Sequence, residues 1–245
     1  MKLTNHLICT AALASSALTM PALGAEATCR ATATSVPTVV ELYTSEGCSS
    51  CPPADRWAST LKGRDDLLVL AFHVDYWDRL GWPDRFASKE ATARQYQLAQ
   101  AAGRRGVYTP QVVINGQDWP RWPTLAAASR TPAALPLTLE RQGDRVVAQL
   151  PAGTARPLAG YWAVLEDNHA TRVRAGENAG ETLRHDHVVR LYQPLPPWSG
   201  ERAQRWDLRV AAGAAEYPRR VAFVVTDAQT LKPLQALALA LPPGC

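Results

Sequence analysis

Cys48 and Cys51 stand two residues apart between an apolar run and a helical pattern, and this placement constrains the chain more than any other feature. Val39-Val40-Glu41-Leu42-Tyr43 reads as a short strand. Ala54, Trp57, Ala58 and Leu61 have the i, i+3, i+4, i+7 spacing of one helix face, which stops at Gly63. The first helical turn offers unpaired N–H groups and a positive dipole end. Both favour thiolate over thiol, and thiolate is the reactive form. The two-residue spacer lets the second sulfur reach the first, so a mixed disulfide can be resolved within the molecule. Two other readings stay open beside this redox one. The pair could be a structural disulfide that never turns over. It could also hold a metal, with His73 as a further ligand, because copper accepts two thiolates and an imidazole.

The compartment bears on that choice. Met1-Lys2 followed by the apolar stretch Leu7 to Met20 and small-x-small sites at Ala22-Leu23-Gly24 and Ala25-Glu26-Ala27 reads as a signal peptide over residues 1–27. The expected location is therefore periplasmic or secreted, with no membrane span after cleavage. Beyond the leader remain Cys29, Cys48, Cys51 and Cys245. Proximity assigns Cys48 to Cys51, which leaves Cys29 and Cys245 as a structural disulfide joining the chain ends. The formal net charge is +4, carried by interspersed Lys, Arg, Asp and Glu with no basic run. That distribution argues against a nucleic-acid partner.

Downstream of the helix, Leu67 to Val74 is a continuous apolar run, the pattern of a strand buried on both faces. An aromatic loop, Asp75 to Phe86, leads to a helix over Ala87 to Ala102 that ends at Gly103. A strand at Gln111 to Ile114 turns at Asn115-Gly116, a strong hairpin signal, and Pro123 to Ser129 is a candidate closing helix. After Thr131-Pro132 the character changes to short apolar or alternating runs punctuated by Pro and Gly. These are Leu135 to Glu140, Arg145 to Leu150, Tyr161 to Glu166, His187 to Tyr192, Trp206 to Val210, Arg220 to Thr226 and Leu234 to Ala240. Such a series predicts a β-sandwich.

Four segments, VVELYTSEGCSSCPPAD, FHVDYWDRLGWPDRFAS, VYTPQVVING and RAGENAGE, resemble a family of exported bacterial proteins of unknown function, domain-of-unknown-function family 1223. The resemblance implies an α/β thioredoxin-like domain over residues 28–132, followed by an all-β sandwich-like domain over 133–245. By likeness to thioredoxins, Thr109-Pro110 stands where a cis proline faces the cysteines. Glu41 is the candidate for their buried acid, although it sits about one residue further from the cysteines. The spacer is Ser49-Ser50, and the tandem Pro52-Pro53 points to a helix that starts just after Cys51.

The expected function is an exported thiol–disulfide oxidoreductase-like activity, with Cys48 as nucleophile, Cys51 resolving, and Pro110 and Glu41 beside them. Its partners would be protein or small-molecule thiols and disulfides, and it calls for no cofactor or metal. His73, Asp75, Trp77 and Thr109 form the neighbourhood for a substrate or a metal. Tyr76, Trp77, Trp82, Trp119 and Trp122 either line a groove or pack the long loop. The alternative is a non-catalytic copper- or partner-binding module on a thioredoxin-like fold. His185 and His187 are a further candidate ligand pair, and Gly176 to Gly180 an unassigned motif. No Gly-x-Ser-x-Gly elbow supports a hydrolase.

Overall fold

The structure, a computed structural model, describes residues 29–125, 131–211 and 214–242. The leader at 1–27 and Cys245, and with it the Cys29–Cys245 pairing, lie outside the described residues. Elements of the first half are β1 (Arg30–Thr32), β2 (Ser35–Val36), β3 (Thr38–Thr44), α1 (Pro52–Thr60), β4 (Leu67–His73), α2 (Lys89–Ala101), β5 (Gln111–Ile114) and β6 (Gln117–Asp118). Then come β7 (Thr131–Pro132), β8 (Thr138–Gln142), β9 (Arg145–Leu150), β10 (Pro157–Glu166), β11 (His169–Arg172) and β12 (Thr182–His185). The chain closes with β13 (Val188–Ser199), β14 (Gln204–Arg209), β15 (Arg219–Asp227) and β16 (Pro233–Ala240).

The element order of the first half follows its periodicities. β4 has seven consecutive buried residues, as its unbroken apolar run requires. Ser88 caps α2, its side chain accepting from the Ala91 N–H at 3.1 Å. Asn115 and Gly116, both at positive φ, turn β5 into β6. A short 3-10 turn occupies Trp122–Thr124, and most of the expected closing helix, residues 126–129, lies outside the described residues.

The sheet topology overturns the expected α/β thioredoxin-like domain followed by an all-β sandwich-like domain. The molecule is mostly β, with 45% strand and 14% helix, and two α-helices among the described residues. One eight-stranded mixed sheet runs β16-β15-β10-β13-β4-β3-β5-β6, joining strands from both sides of residue 133. The join is parallel, through Val188 opposite Ala71 and an Ala71 N–H to His187 carbonyl bond of 2.8 Å.

The reason lies in the apolar runs of β10 and β15. In a two-layer sandwich each strand shows one face to water and alternates. Here Leu158, Trp162 and Val164 pack with Val221, Phe223 and Val225 under the four-stranded sheet β1-β8-β9-β14. The intervening Tyr161, Ala163, Leu165, Ala222 and Val224 pack on the opposite face with Leu70, Phe72, Ala91 and Leu98. Both faces are covered, so these are central strands of one sheet. A third cluster places α1, through Ala54, Ala58 and Leu61, over Val40, Leu42 and Val69. Even positions of β3 and odd positions of β4 therefore face α1.

Candidate functional site

Cys48 and Cys51 form a disulfide directly before α1, with Cα atoms 5.4 Å apart. Cys51 is the N-cap residue and Pro52-Pro53 fill the first turn, where a missing N–H removes no helical hydrogen bond. Both cysteines are 0% exposed, although Ser49 and Ser50 between them reach solvent. Three segments hold the loop. Trp77 packs over Gly47 so closely that a Cβ there would lie 3.1 Å from that of Trp77, which explains the glycine. The Trp77 indole N–H donates to Thr109 Oγ1 at 2.8 Å, next to the cis Thr109–Pro110 bond. From the second half, Asn178 donates to the carbonyls of Glu46 (2.9 Å) and Cys48 (3.0 Å), while Glu177 accepts from the Ser49 N–H (3.0 Å) and hydroxyl (2.7 Å).

Behind the loop lies a buried polar cluster. Strand alternation turns Thr44 and His73 toward α1, whose inner face carries Asp55. Thr44 donates its hydroxyl to Asp55 at 2.9 Å. β12 runs beside α1 and brings in His185, with Nδ1 3.8 Å from Asp55 and Nε2 3.3 Å from Glu46. The His73 and His185 rings lie 4.9 Å apart. Asp84 binds His73 Nδ1 at 2.6 Å, the Glu46 N–H at 2.9 Å and the Phe86 N–H at 2.9 Å. Trp82 donates its indole N–H to Glu46 at 2.8 Å.

The charges answer one another. Burial opposes the charged form of His185, yet Asp55 and Glu46 together raise it to about 9. Burial likewise works against the Asp84 carboxylate, but His73 and two backbone N–H groups bring it down to about 2. Glu46 is lowered against its burial by His185 and Trp82. His73 Nε2 is nevertheless buried without a hydrogen-bond partner.

A family profile matches residues 39–226, from β3 into β15. The chain belongs to that family, described as protein of unknown function (DUF1223). All four segments that carried the resemblance fall within the match, and the structure gathers parts of each around the cysteine loop. A crystal structure of a protein from Agrobacterium tumefaciens is similar at 29% identity and a TM-score of 0.64, over 83% of this chain and 94% of that one. HBP35 of Porphyromonas gingivalis is similar in fold, at 17% identity and a TM-score of 0.56, over 85% of this chain and 76% of that one. No curated protein matches.

Within this family member the expected site residues part company. Cys48, Cys51 and Trp77 lie at the loop, and Thr109, which precedes Pro110 through a cis bond, is tied to it through Trp77. His73 belongs to the cluster behind it. Glu41 does not: β3 alternation turns it and Tyr43 to the α2 face, where it is ion-paired with Arg94 and accepts from Tyr43 (2.6 Å) and Tyr161 (3.1 Å). Asp75 is bound to Thr92 of α2, accepting its hydroxyl at 2.6 Å. Neither Cys48, the expected nucleophile, nor Cys51 is exposed. His185 and His187 do not act as a pair, because His187 faces Arg220 (2.8 Å) and Asp167 (3.8 Å) instead. Trp119 and Trp122 pack beside α1. Asp55 and Asp84 were not among the expected site residues. The signal for Asp55 was its place on the inward helix face, one position after Ala54.

Proposed function

We propose that the protein carries out thiol–disulfide exchange through Cys48 and Cys51 in a periplasmic or secreted location. The observation that carries this reading is the disulfide itself, closed across two residues at the start of α1. A substrate thiolate attacks Sγ of Cys48, the Cys48–Cys51 bond breaks, and its electron pair leaves on Cys51 as thiolate. A second substrate thiolate attacks the substrate sulfur of the mixed disulfide, and Cys48 leaves as thiolate. The substrate dithiol has lost two electrons and the cysteine pair has gained them. The reverse sequence, begun by Cys48 thiolate, reduces a substrate disulfide. Cys48 is the attacked sulfur because Cys51 is tied into the helix cap, its carbonyl accepting the Ala54 N–H at 2.9 Å. Both sulfurs are shielded, so exchange requires the Glu177–Asn178 segment to move off the loop. The leader sequence supports export, and among the described residues no helix is long and apolar enough to cross a membrane.

Cys51→Ser removes the resolving sulfur and is expected to accumulate mixed disulfides through Cys48 with disulfide-bearing proteins of the exported fraction, each displacing one thiolate of the partner's disulfide. Labelling of Cys48 by an alkylating agent with no trapped partner would refute exchange and leave a structural disulfide.

A further inference from the structure

We propose that Asp55, His73 and His185 form a buried binding site for one divalent first-row transition-metal ion, with the Glu46 carboxylate beside His185. The site is separate from the sulfurs and does not depend on the exchange reading, since no cysteine contributes a donor. Ligand atoms of Asp55, His73 and His185 all lie within 4.8 Å of one another, and each of the three residues is buried. An ion bonded at about 2.0–2.2 Å holds its ligand atoms no more than roughly 4.4 Å apart, so only a few tenths of an ångström separate this cluster from coordination.

Two further observations point to a ligand. His73 Nε2 is a buried polar atom without a hydrogen-bond partner, and the His185 nitrogens meet only carboxylates, Nε2 at 3.3 Å from Glu46 Oε1 and Nδ1 at 3.8 Å from Asp55. His73 is 1% exposed, His185 2% and Glu46 0%. Buried groups of this kind are ordinarily satisfied. In addition, Asp84 lies 2.6 Å from His73 Nδ1. A carboxylate there fixes the N–H on Nδ1 and leaves the Nε2 lone pair to accept a ligand, the arrangement that orients metal-binding histidines. The donor set of two imidazoles and a carboxylate, without sulfur, suits zinc and its neighbours. Two carboxylates also neutralise a divalent charge in a region closed to water. The three donors come from α1, from β4 and from β12, and Glu46 of the loop before Cys48 adjoins them. An ion would therefore clamp the second half of the chain to the base of the cysteine loop.

The test uses oxidised full-length protein after chelator treatment, so that the disulfide keeps both sulfurs from binding. Cobalt(II) titration is expected to give one ion per chain, with visible d–d absorption and no thiolate charge-transfer band, and zinc should displace it. His185→Gln and His73→Leu should abolish uptake, and Asp84→Asn should weaken it by about 10–100-fold. Cys48→Ser/Cys51→Ser should bind like the unaltered chain. No uptake by the unaltered oxidised protein would overturn the site and leave His185 as a protonated bridge between Asp55 and Glu46. Uptake confined to reduced protein, or retained in a folded His185→Gln variant, would overturn it as well. If the histidine variants fail to fold by circular dichroism, the cobalt spectrum and stoichiometry of the unaltered protein decide.

Discussion

Two buried polar clusters lie on opposite faces of β3 and β4, and they are finished differently. On the α2 face, Glu41 receives hydrogen bonds from Arg94, Tyr43 and Tyr161, and the Arg94 guanidinium lies 4.2 Å from the Tyr161 ring centroid. Burial raises the Tyr43 and Tyr161 hydroxyls well above their usual range, so they stay neutral donors. On the α1 face, His73 Nε2 is buried without a hydrogen-bond partner, and His185 meets Glu46 and Asp55 only at 3.3 and 3.8 Å. A satisfied cluster holds a fold together, since each charge is stabilised only by its neighbours. One with open donors and acceptors directly behind a cysteine loop is placed to do chemistry or bind an ion.

The largest effect is expected where every bond is made. Arg94→Ala leaves the Glu41 carboxylate buried and unpaired, and should cost about 3–5 kcal/mol in urea unfolding. Replacing both, as Glu41→Leu with Arg94→Met, should recover most of that loss and leave the Cys48–Cys51 reduction potential unchanged. A shifted potential in a folded double variant would show that the two faces are coupled.

Asn178→Ala should cost about 1–3 kcal/mol, because the Glu46 and Cys48 carbonyls each lose a hydrogen bond, the latter keeping only that from the Cys51 N–H. It should also speed reduction of Cys48–Cys51 by dithiothreitol, followed by thiol trapping. An unchanged rate in a folded variant would mean that this segment does not guard the sulfurs.

A smaller effect concerns pH. Glu166 is bound by Arg219 and by His169 at 2.9 Å, and these partners lower its carboxyl despite burial. A lowered folded value means its contribution is present above the unfolded value of 4.5 and is lost as pH falls through the folded one. Unfolding midpoints should therefore drop below about pH 4.5, and Glu166→Gln should flatten that drop.

The smallest effect on stability belongs to exposed Glu177. Glu177→Ala should leave the thermal midpoint unchanged while modestly accelerating dithiothreitol reduction, since Ser49 loses its acceptor. A fall in the midpoint with no change in rate would assign Glu177 to the fold alone.

The sequence by itself determined the local elements. The seven-residue run of β4, the Asn115-Gly116 turn, the helix start behind Pro52-Pro53 and the cysteine pair are each set by residues within a few positions of one another. Such short-range preferences act before any tertiary contact forms. The division of faces that separates Glu41 from His73 depends on the β3–β4 register, with Thr44 opposite His73, which no local pattern sets. What the tertiary structure alone decided is which strands share a sheet. The pairing of Val188 with Ala71 is a contact between residues far apart in the chain, chosen by burial on both faces of β10 and β15 rather than by any local pattern. The same long-range choice carries β12 to α1 and sets His185 beside Asp55 and His73. No spacing in the sequence marks that meeting, because the three residues become neighbours only when packing brings their strands and helix together.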